Sequence, residues 1–369
     1  MNRRTAILGA AATLAGTAAI VAGDRLWDSH EAGEWREEAH RLRRPPTPGL
    51  AGAEARTALI QSATLAATSH NTQAWRFAGD DGGITLLPDF TRRTPIVDPD
   101  DHHLFVSLGA AAENMVHAAP TVGLIADPRF ETTGEGRIRV ALRPGKVAVT
   151  DLGTAIPRRQ CTRGIYDGRA VPAAELAALV AAGTRPGVSV RLITERPAMT
   201  ALTALILEAN NRQLNDAAFR AELKRWVRFS YAEAMDTADG LFAPLTGNPE
   251  LPEAIGRVLF DLVLTTDAEK AKAKVQVESA AGLAVFISDQ NDPAHWVAVG
   301  RAYQRFALQA TALGIKHAFL NQAVEVPEVR RQVAAHLGVG ARRPDLILRF
   351  GYGNPMPWSL RRPVADVLA

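Results

Sequence analysis

Thr68-Ser69-His70-Asn71-Thr72-Gln73-Ala74-Trp75 is the stretch on which the reading of this 369-residue chain turns. It follows an apolar helical run, Ala53–Ala67, and leads directly into a strand that begins at Trp75. Ser, Asn and Gln side chains compete with the backbone for hydrogen bonds, so they favour a bend here. The bend places hydroxyls and amides together, where they can meet the edge of a polar, uncharged ligand. On side-chain chemistry alone, a capped turn is the plainer reading.

Downstream, Trp75–Ala78 and Ile84–Pro88 flank a turn at Gly79-Asp80-Asp81-Gly82-Gly83, which predicts a hairpin. Asp98-Pro99-Asp100-Asp101-His102-His103 invites a metal reading. Neighbouring residues rarely aim at one ion, however, and Asp before a helix satisfies free amides, so a helix start is expected and no metal. Leu104, Leu108, Ala111 and Met115 recur at helical spacing, and Arg137–Arg143 alternates as a half-exposed strand. Upstream, Asp24–His40 reads as a polar helix, and Leu42–Gly49 breaks it with prolines. Residues 1–23 carry Arg3-Arg4 before a soft Ala/Gly-rich run, the pattern of a Tat export signal or N-terminal anchor. That pattern implies a periplasmic or exported protein, with membrane anchoring as a variant.

Hydrophobic residues make up 47% of the chain, enough for a large core and for about two domains. The net charge is +3 and its basic residues are scattered, so nucleic-acid binding is not read from it. One cysteine, Cys161, excludes an intramolecular disulfide and a cysteine zinc site.

The second informative stretch is Arg158-Arg159-Gln160-Cys161-Thr162-Arg163-Gly164. Clustered guanidiniums suit a phosphate, although a solvated basic turn is the ordinary alternative. A helix over Pro172–Ala182 and a strand over Val188–Ile193 follow. Thr200–Met235 reads as one long helix or two. Asp239–Glu253, rich in Pro and Gly but holding Leu241 and Phe242, reads as a lid as much as a linker. Further helices are expected over Glu253–Leu264 and from Lys270, and an apolar strand over Gly282–Ser288. Trp296, Val299, Tyr303, Phe306 and Ala310 form a stripe expected to be core. Nothing is assigned to His295 or His317. Asn321 falls in a loop after Leu320, Asp345–Gly351 is a strand, and Arg361-Arg362-Pro363 lies near the C-terminus.

The Ser69–Trp75 stretch resembles the Ser-x-Asn-x-Gln-Pro-Trp signature of FMN-dependent nitroreductases, with Ala74 in the proline place. Arg159-Gln160-Cys161-Thr162-Arg163 resembles the Arg-x-Ser-x-Arg/Lys element of that family, with Cys161 in the serine place. The resemblance implies FMN as cofactor, held by Ser69, Asn71, Gln73, Arg159, Cys161, Arg163, Asn321, Arg361 and Arg362. The chemistry would lie on the flavin, with no side chain as general acid. NAD(P)H would be the donor, and a small nitroaromatic or quinone-class electrophile the acceptor.

The two halves look complementary. The first has the Ser69–Gln73 loop but, where a basic element should stand, Arg41-Leu42-Arg43-Arg44 runs into two prolines. The second has the arginines but only Thr184-Arg185-Pro186-Gly187 where its own Ser-x-Asn-x-Gln should fall. The pattern resembles Acg-type fused nitroreductase-like proteins. It implies an α+β, nitroreductase-like fold of two fused halves, residues 24–150 and 151–369, forming an intramolecular pseudo-dimer with one FMN site and a lid at 239–253. Such a chain would be a monomer. A flavin-sequestering protein with a closed lid, and a cofactor-free fold used for partner binding, remain as alternatives.

Overall fold

The computed structural model describes residues 30–369. The signal or anchor expected over residues 1–23 lies outside the described residues. Two helices, α1 (His30–Leu42) and α2 (Gly52–Thr64), precede the hairpin β1 (Trp75–Asp80) and β2 (Gly83–Pro88). Helix α3 (His102–Ala118) then leads to β3 (Leu124–Glu131) and β4 (Arg137–Pro144). After α4 (Asp151–Ala155) come α5 (Ala173–Gly183) and β5 (Val188–Ile193). A helical insert follows, with α6 (Arg196–Asn215), α7 (Ala217–Trp226), β6 (Val227–Arg228), α8 (Tyr231–Thr237), β7 (Leu241–Phe242), α9 (Glu253–Val263) and α10 (Thr266–Glu278). The chain closes with β8 (Gly282–Ser288), α11 (Pro293–Ala312), β9 (Lys316–Phe319), α12 (Gln322–Glu325), α13 (Pro327–His336) and β10 (Arg343–Gly351).

The α+β class expected from the sequence is observed. The main strands form two antiparallel four-stranded sheets of the same plan. One runs β1-β2-β4-β3 and the other β5-β8-β10-β9. Counted within its own sheet, each has the order 1-2-4-3, with a long helix (α3 or α11) between its second and third strands.

Those two helices pack on each other through a reciprocal contact. A Cβ on Gly109 of α3 would lie 2.1 Å from the Val297 carbonyl oxygen, and one on Gly300 of α11 would lie 1.9 Å from that of Val106. Val106/Gly109 and Val297/Gly300 share one spacing, so only glycine lets each backbone approach the other. Polar pairs tie the same crossing: Arg301 Nε donates to Glu113 Oε2 at 2.8 Å, and Gln304 Nε2 to Asn114 Oδ1 at 2.7 Å.

The sheets differ in burial. β4 alternates between buried and open positions, whereas β8 and β10 are buried throughout. Phe286 and Leu348 join the core shared with α3 and α11, while Val285 and Ile347 join a second core with Leu202 and Ile206 of α6. The expected Trp296-to-Ala310 stripe is core, as read.

Several boundaries depart from expectation. Helix α2 stops at Thr64 rather than Ala67, because Leu65 and Ala66 N–H groups turn back to Ser62 and Ala63 carbonyls. The Thr200–Met235 region is three helices, broken where Asp216 caps α7 and Ser230 caps α8. Strand β3 carried no clear alternation and was not foreseen. Asn321 sits directly before α12 rather than in an open loop. No helix among the described residues is long and apolar enough to cross a membrane.

Candidate functional site

Early termination of α2 creates the first part of the site. Its last carbonyls have no intrahelical partners, and such ends attract cations. Arg361 donates to Thr64 O at 2.7 Å and to Ala66 O at 3.1 Å, while Arg159 donates to Leu65 O at 2.9 Å. The carbonyls orient both guanidiniums but neutralise neither. Arg43, at the end of α1, is also buried and is held by the Ser359 carbonyl at 3.0 Å. Among the described residues none of the three is in an ion pair with a carboxylate. Burial, together with Arg361 and Arg159, holds Arg43 well below the usual guanidinium range; burial and Arg159 bring Arg361 down to about 9. Three concentrated, unneutralised cations are costly unless an anion joins them.

The second part is the Thr68–Trp75 bend. His70, Asn71 and Gln73 all have positive φ, at 45°, 55° and 54°. Non-glycine residues seldom adopt this region, and clusters of it mark sites where backbone direction is imposed by surroundings. Here Gly240 N–H donates to Asn71 O at 3.2 Å, Arg92 Nε to Thr72 O at 2.6 Å, and Asn71 Nδ2 to Leu360 O at 3.3 Å. Ser69, His70 and Asn71 thereby line a cavity of about 450 Å³ shared with Arg43, Arg159 and Arg361. Asn71 Oδ1, His70 Nδ1 and Arg159 Nε are buried there without a protein partner.

Of the residues singled out in the sequence, Ser69, Asn71, Arg159, Cys161, Arg163, Asn321 and Arg361 line this cavity. Gln73 and Arg362 are not in its wall. The Gln73 amide is consumed by backbone, donating to Ala238 O at 2.9 Å and accepting from Arg362 N at 2.8 Å. The Arg362 side chain turns to the Asp366 carbonyl. The first half, read as lacking an Arg-x-Ser-x-Arg element, nevertheless brings Arg43 to the cavity, just after the end of α1. His317 was also unassigned. It sits 3.1 Å from Tyr303 Oη, and its strand bridges Cys161. Burial alone would push the Cys161 thiol up, but His317, Arg159 and Arg163 outweigh it and bring it down to about 5.

The segment read as a lid contributes Gly240–Ala243, Leu245, Thr246, Asn248, Pro249 and Leu251 to the wall. Its start is pinned, because Asp239 pairs with both Arg92 and Arg228. A Cβ on Gly240, with φ of 73°, would lie 2.6 Å from Trp226 O, so the turn into this segment needs glycine.

The Asp98, His102 and His103 ligand atoms lie within 4.8 Å of one another, closer than their spacing suggested. The Asp98 carboxylate accepts from His103 N–H and Leu104 N–H, each at 3.0 Å, which is the helix-start role expected of it.

Comparisons agree with this arrangement only in outline. No family model matches the chain. Over 327 residues the chain is 25% identical to the provisionally named NAD(P)H nitroreductase Rv3131 of Mycobacterium tuberculosis (strain ATCC 25618 / H37Rv), covering 86% of this chain and 91% of that protein. The chain is similar to a protein named as a nitroreductase. The same values hold for MT3217 of strain CDC 1551 / Oshkosh. Among solved structures, the FMN-dependent nitroreductase NfnB from Mycobacterium smegmatis in complex with NADPH aligns with a TM-score of 0.38 and 17% identity, over 59% of this chain and 91% of that one. A nitroreductase with bound FMN from Bacteroides fragilis NCTC 9343 gives 0.37 and 18%, over 58% and 96%. Structural likeness at that level carries no argument about chemistry.

Proposed function

We propose that this chain is an FMN-binding oxidoreductase of the nitroreductase type, using NAD(P)H to reduce a small electrophile of the nitroaromatic or quinone class. The observation that carries the reading is the set of three buried guanidiniums, Arg43, Arg159 and Arg361, sharing one cavity with the strained Ser69–Asn71 bend. A phosphate dianion fits the cations, and unpartnered Asn71 Oδ1 and Arg159 Nε suit a polyhydroxylated chain and its phosphate. The names of the curated relatives support the same class.

In this reading Arg43, Arg159 and Arg361 hold the phosphate. Ser69 and Asn71 orient the ribityl chain and ring edge, and Arg163 places a fixed cation near the ring. FMN, when bound, supplies two-electron transfer between a nicotinamide donor and the acceptor. Gln73 acts indirectly, tying the bend to Ala238 and to the chain before Pro363. Leu241, Phe242 and Leu245 give the cavity an apolar wall. The matching sheet orders and the reciprocal α3–α11 contact support two fused halves forming a pseudo-dimer, and hence a monomer. Export through Tat rests on Arg3-Arg4 and the Ala/Gly-rich run after it.

A second reading, flavin sequestration, is favoured by one observation: the 239–251 segment, held at its start by Asp239, forms part of the cavity wall. A visible spectrum of the purified protein, before and after anaerobic NADPH, separates the two. A flavin spectrum that bleaches supports the oxidoreductase. A flavin spectrum that bleaches only with dithionite supports sequestration. No flavin after reconstitution with FMN overturns both.

A further inference from the structure

Helix α9 carries a wider apolar face than the body of the protein covers. Contacts fix its inward side. Gly256 is buried, and a Cβ there would lie 2.5 Å from the Phe229 ring. The Phe260 ring meets the Phe229 ring edge-on at 6.1 Å, and Leu259 and Phe260 line the cavity. Successive helix residues turn by about 100°, so Ile255, Val258 and Leu262 fall together on the side away from Gly256 and Phe260. They are 51%, 69% and 70% exposed. The charged side chains of α9 do not interrupt this stripe. Arg257 donates to Glu233 of α8 at 2.9 Å and to Glu253 at 2.7 Å, and Asp261 accepts from Arg220 and Lys224 of α7 at 3.1 and 2.9 Å.

We infer that α9 docks on a lipid bilayer, with Ile255, Val258 and Leu262 inserted at the boundary of headgroups and acyl chains. An uncharged apolar stripe on one side of a surface helix gains by leaving water for that boundary. It is too small for a stable protein partner, since three side chains fall far short of the roughly 20–30 residues a side that such an interface uses. The start of the described chain lies close by. Helix α1 packs on α8 through Trp35 and Tyr231, with ring centroids 6.1 Å apart, and α8 is the helix that holds Arg257. An anchor ending at Gly23 would leave only Asp24–Ser29 before α1, a reach of at most about 25 Å, so the body would sit close to the bilayer.

Charge is not what holds the helix there. Residues 250–278 carry Glu250, Glu253, Asp261, Asp267, Glu269 and Glu278 against Arg257, Lys270, Lys272 and Lys274, an acidic excess. Docking is therefore by apolar insertion, little changed by salt or by anionic lipid. With Leu259 and Phe260 on its inward side, the docked helix is the wall that separates the cavity from the bilayer.

Bilayer docking is independent of the flavin reading, and its test needs neither FMN nor turnover. The full chain carrying Val258→Trp is compared with the unaltered protein on phosphatidylcholine vesicles that bear a nitroxide high on the acyl chain. The added tryptophan emission should fall by at least about twofold, at low and high salt alike, and equally when part of the lipid is phosphatidylglycerol. Ile255→Glu together with Leu262→Glu should restore that emission, because a carboxylate resists transfer into hydrocarbon. Melting temperature should not change, since all three positions are exposed. The signal is read at position 258, so attachment through residues 1–23 alone leaves it unquenched and overturns the proposal. Quenching that survives both glutamates overturns it as well. A stripe that joins two copies of the chain instead gives no quenching and a dimer in sedimentation that the glutamates dissociate, again against the proposal. Should the tryptophan variant melt early, amide exchange over residues 253–263 of the unaltered protein decides: vesicles slow it if α9 docks, and unchanged exchange overturns the proposal.

Discussion

The two sheets share one strand order and one helix insertion point, yet they are buried in opposite ways. The first sheet has one face against α3 and the other open, so Ile138 and Val140 are buried while Arg139 pairs with Asp80 on the open side. The second has both faces covered, since the insert and α13 supply a second core. Identical topology therefore does not fix the environment of a strand; what packs on its second face does. The same asymmetry reaches the cavity. The first half contributes the strained bend and Arg43. The second contributes Arg159, Cys161, Arg163 and Arg361, and its insert forms part of the wall.

The sharpest way to break the comparison is at the helix crossing, where the halves are equal. Gly109→Ala and Gly300→Ala should each destabilise by roughly 3 kcal/mol or more, because backbone carbonyls cannot yield as side chains do. Denaturant midpoints would measure this. A large loss at one glycine and none at the other would contradict a reciprocal contact.

Next in size is an acid dependence at the same crossing. Burial alone would raise the Glu113 carboxyl, but His117 and Arg301 outweigh it and bring it to about 2. A depressed acid stabilises the fold above its unfolded value, here 4.5, and loses that contribution as pH falls through 4.5 toward 2. The order of magnitude is about 3 kcal/mol. Glu113→Gln should thus be less stable at neutral pH, and the gap from the unaltered protein should close near pH 2.

For the cavity, Arg159→Ala, Arg361→Ala and Arg43→Ala should each weaken FMN binding by about 30-fold, from the loss of one charge-assisted contact. Arg362→Ala should change it by no more than about twofold, since that side chain faces the Asp366 carbonyl instead. Fluorescence titration with FMN distinguishes these outcomes. An unchanged Arg43→Ala would remove the first half from the anion site.

A smaller effect than at Arg43, Arg159 or Arg361 is expected at Cys161. His317, Arg159 and Arg163 hold the Cys161 thiol well below its ordinary value despite burial, and in its ionised form the side chain competes with a phosphate for Arg159 and Arg163. Cys161→Ser should tighten FMN binding at pH 7 by less than about tenfold. The advantage should fade below pH 5, where the thiol is protonated. Equal affinities at both pH values would mean that the thiolate does not face the anion.

Much of this was legible in order along the chain. Continuous apolar residues over Gly282–Ser288 and alternation over Arg137–Arg143 already distinguish a strand covered on both faces from one covered on a single face. The Trp296-to-Ala310 stripe marked the core face of α11. Arg43 was not legible, because prolines after a basic run read as a solvated linker. Only the packing of α1 turns that guanidinium inward. Nor was the uncovered stripe of α9, since apolar spacing on a helix does not say how much of that face the body covers.

The sequence by itself determined the type of most long elements, though not of β3, β9 or α13, together with the bend at Ser69–Gln73 and the arginine-rich element after Pro157. These follow from side-chain periodicity and from local competition for backbone hydrogen bonds, which act over a few residues. The tertiary structure alone decided which arginines meet at the frayed end of α2. It also decided that Gln73 and Arg362 serve the backbone, and that part of the apolar face of α9 is left uncovered. Charge concentration and unsatisfied polar atoms are properties of burial, and burial depends on chain segments far apart in sequence.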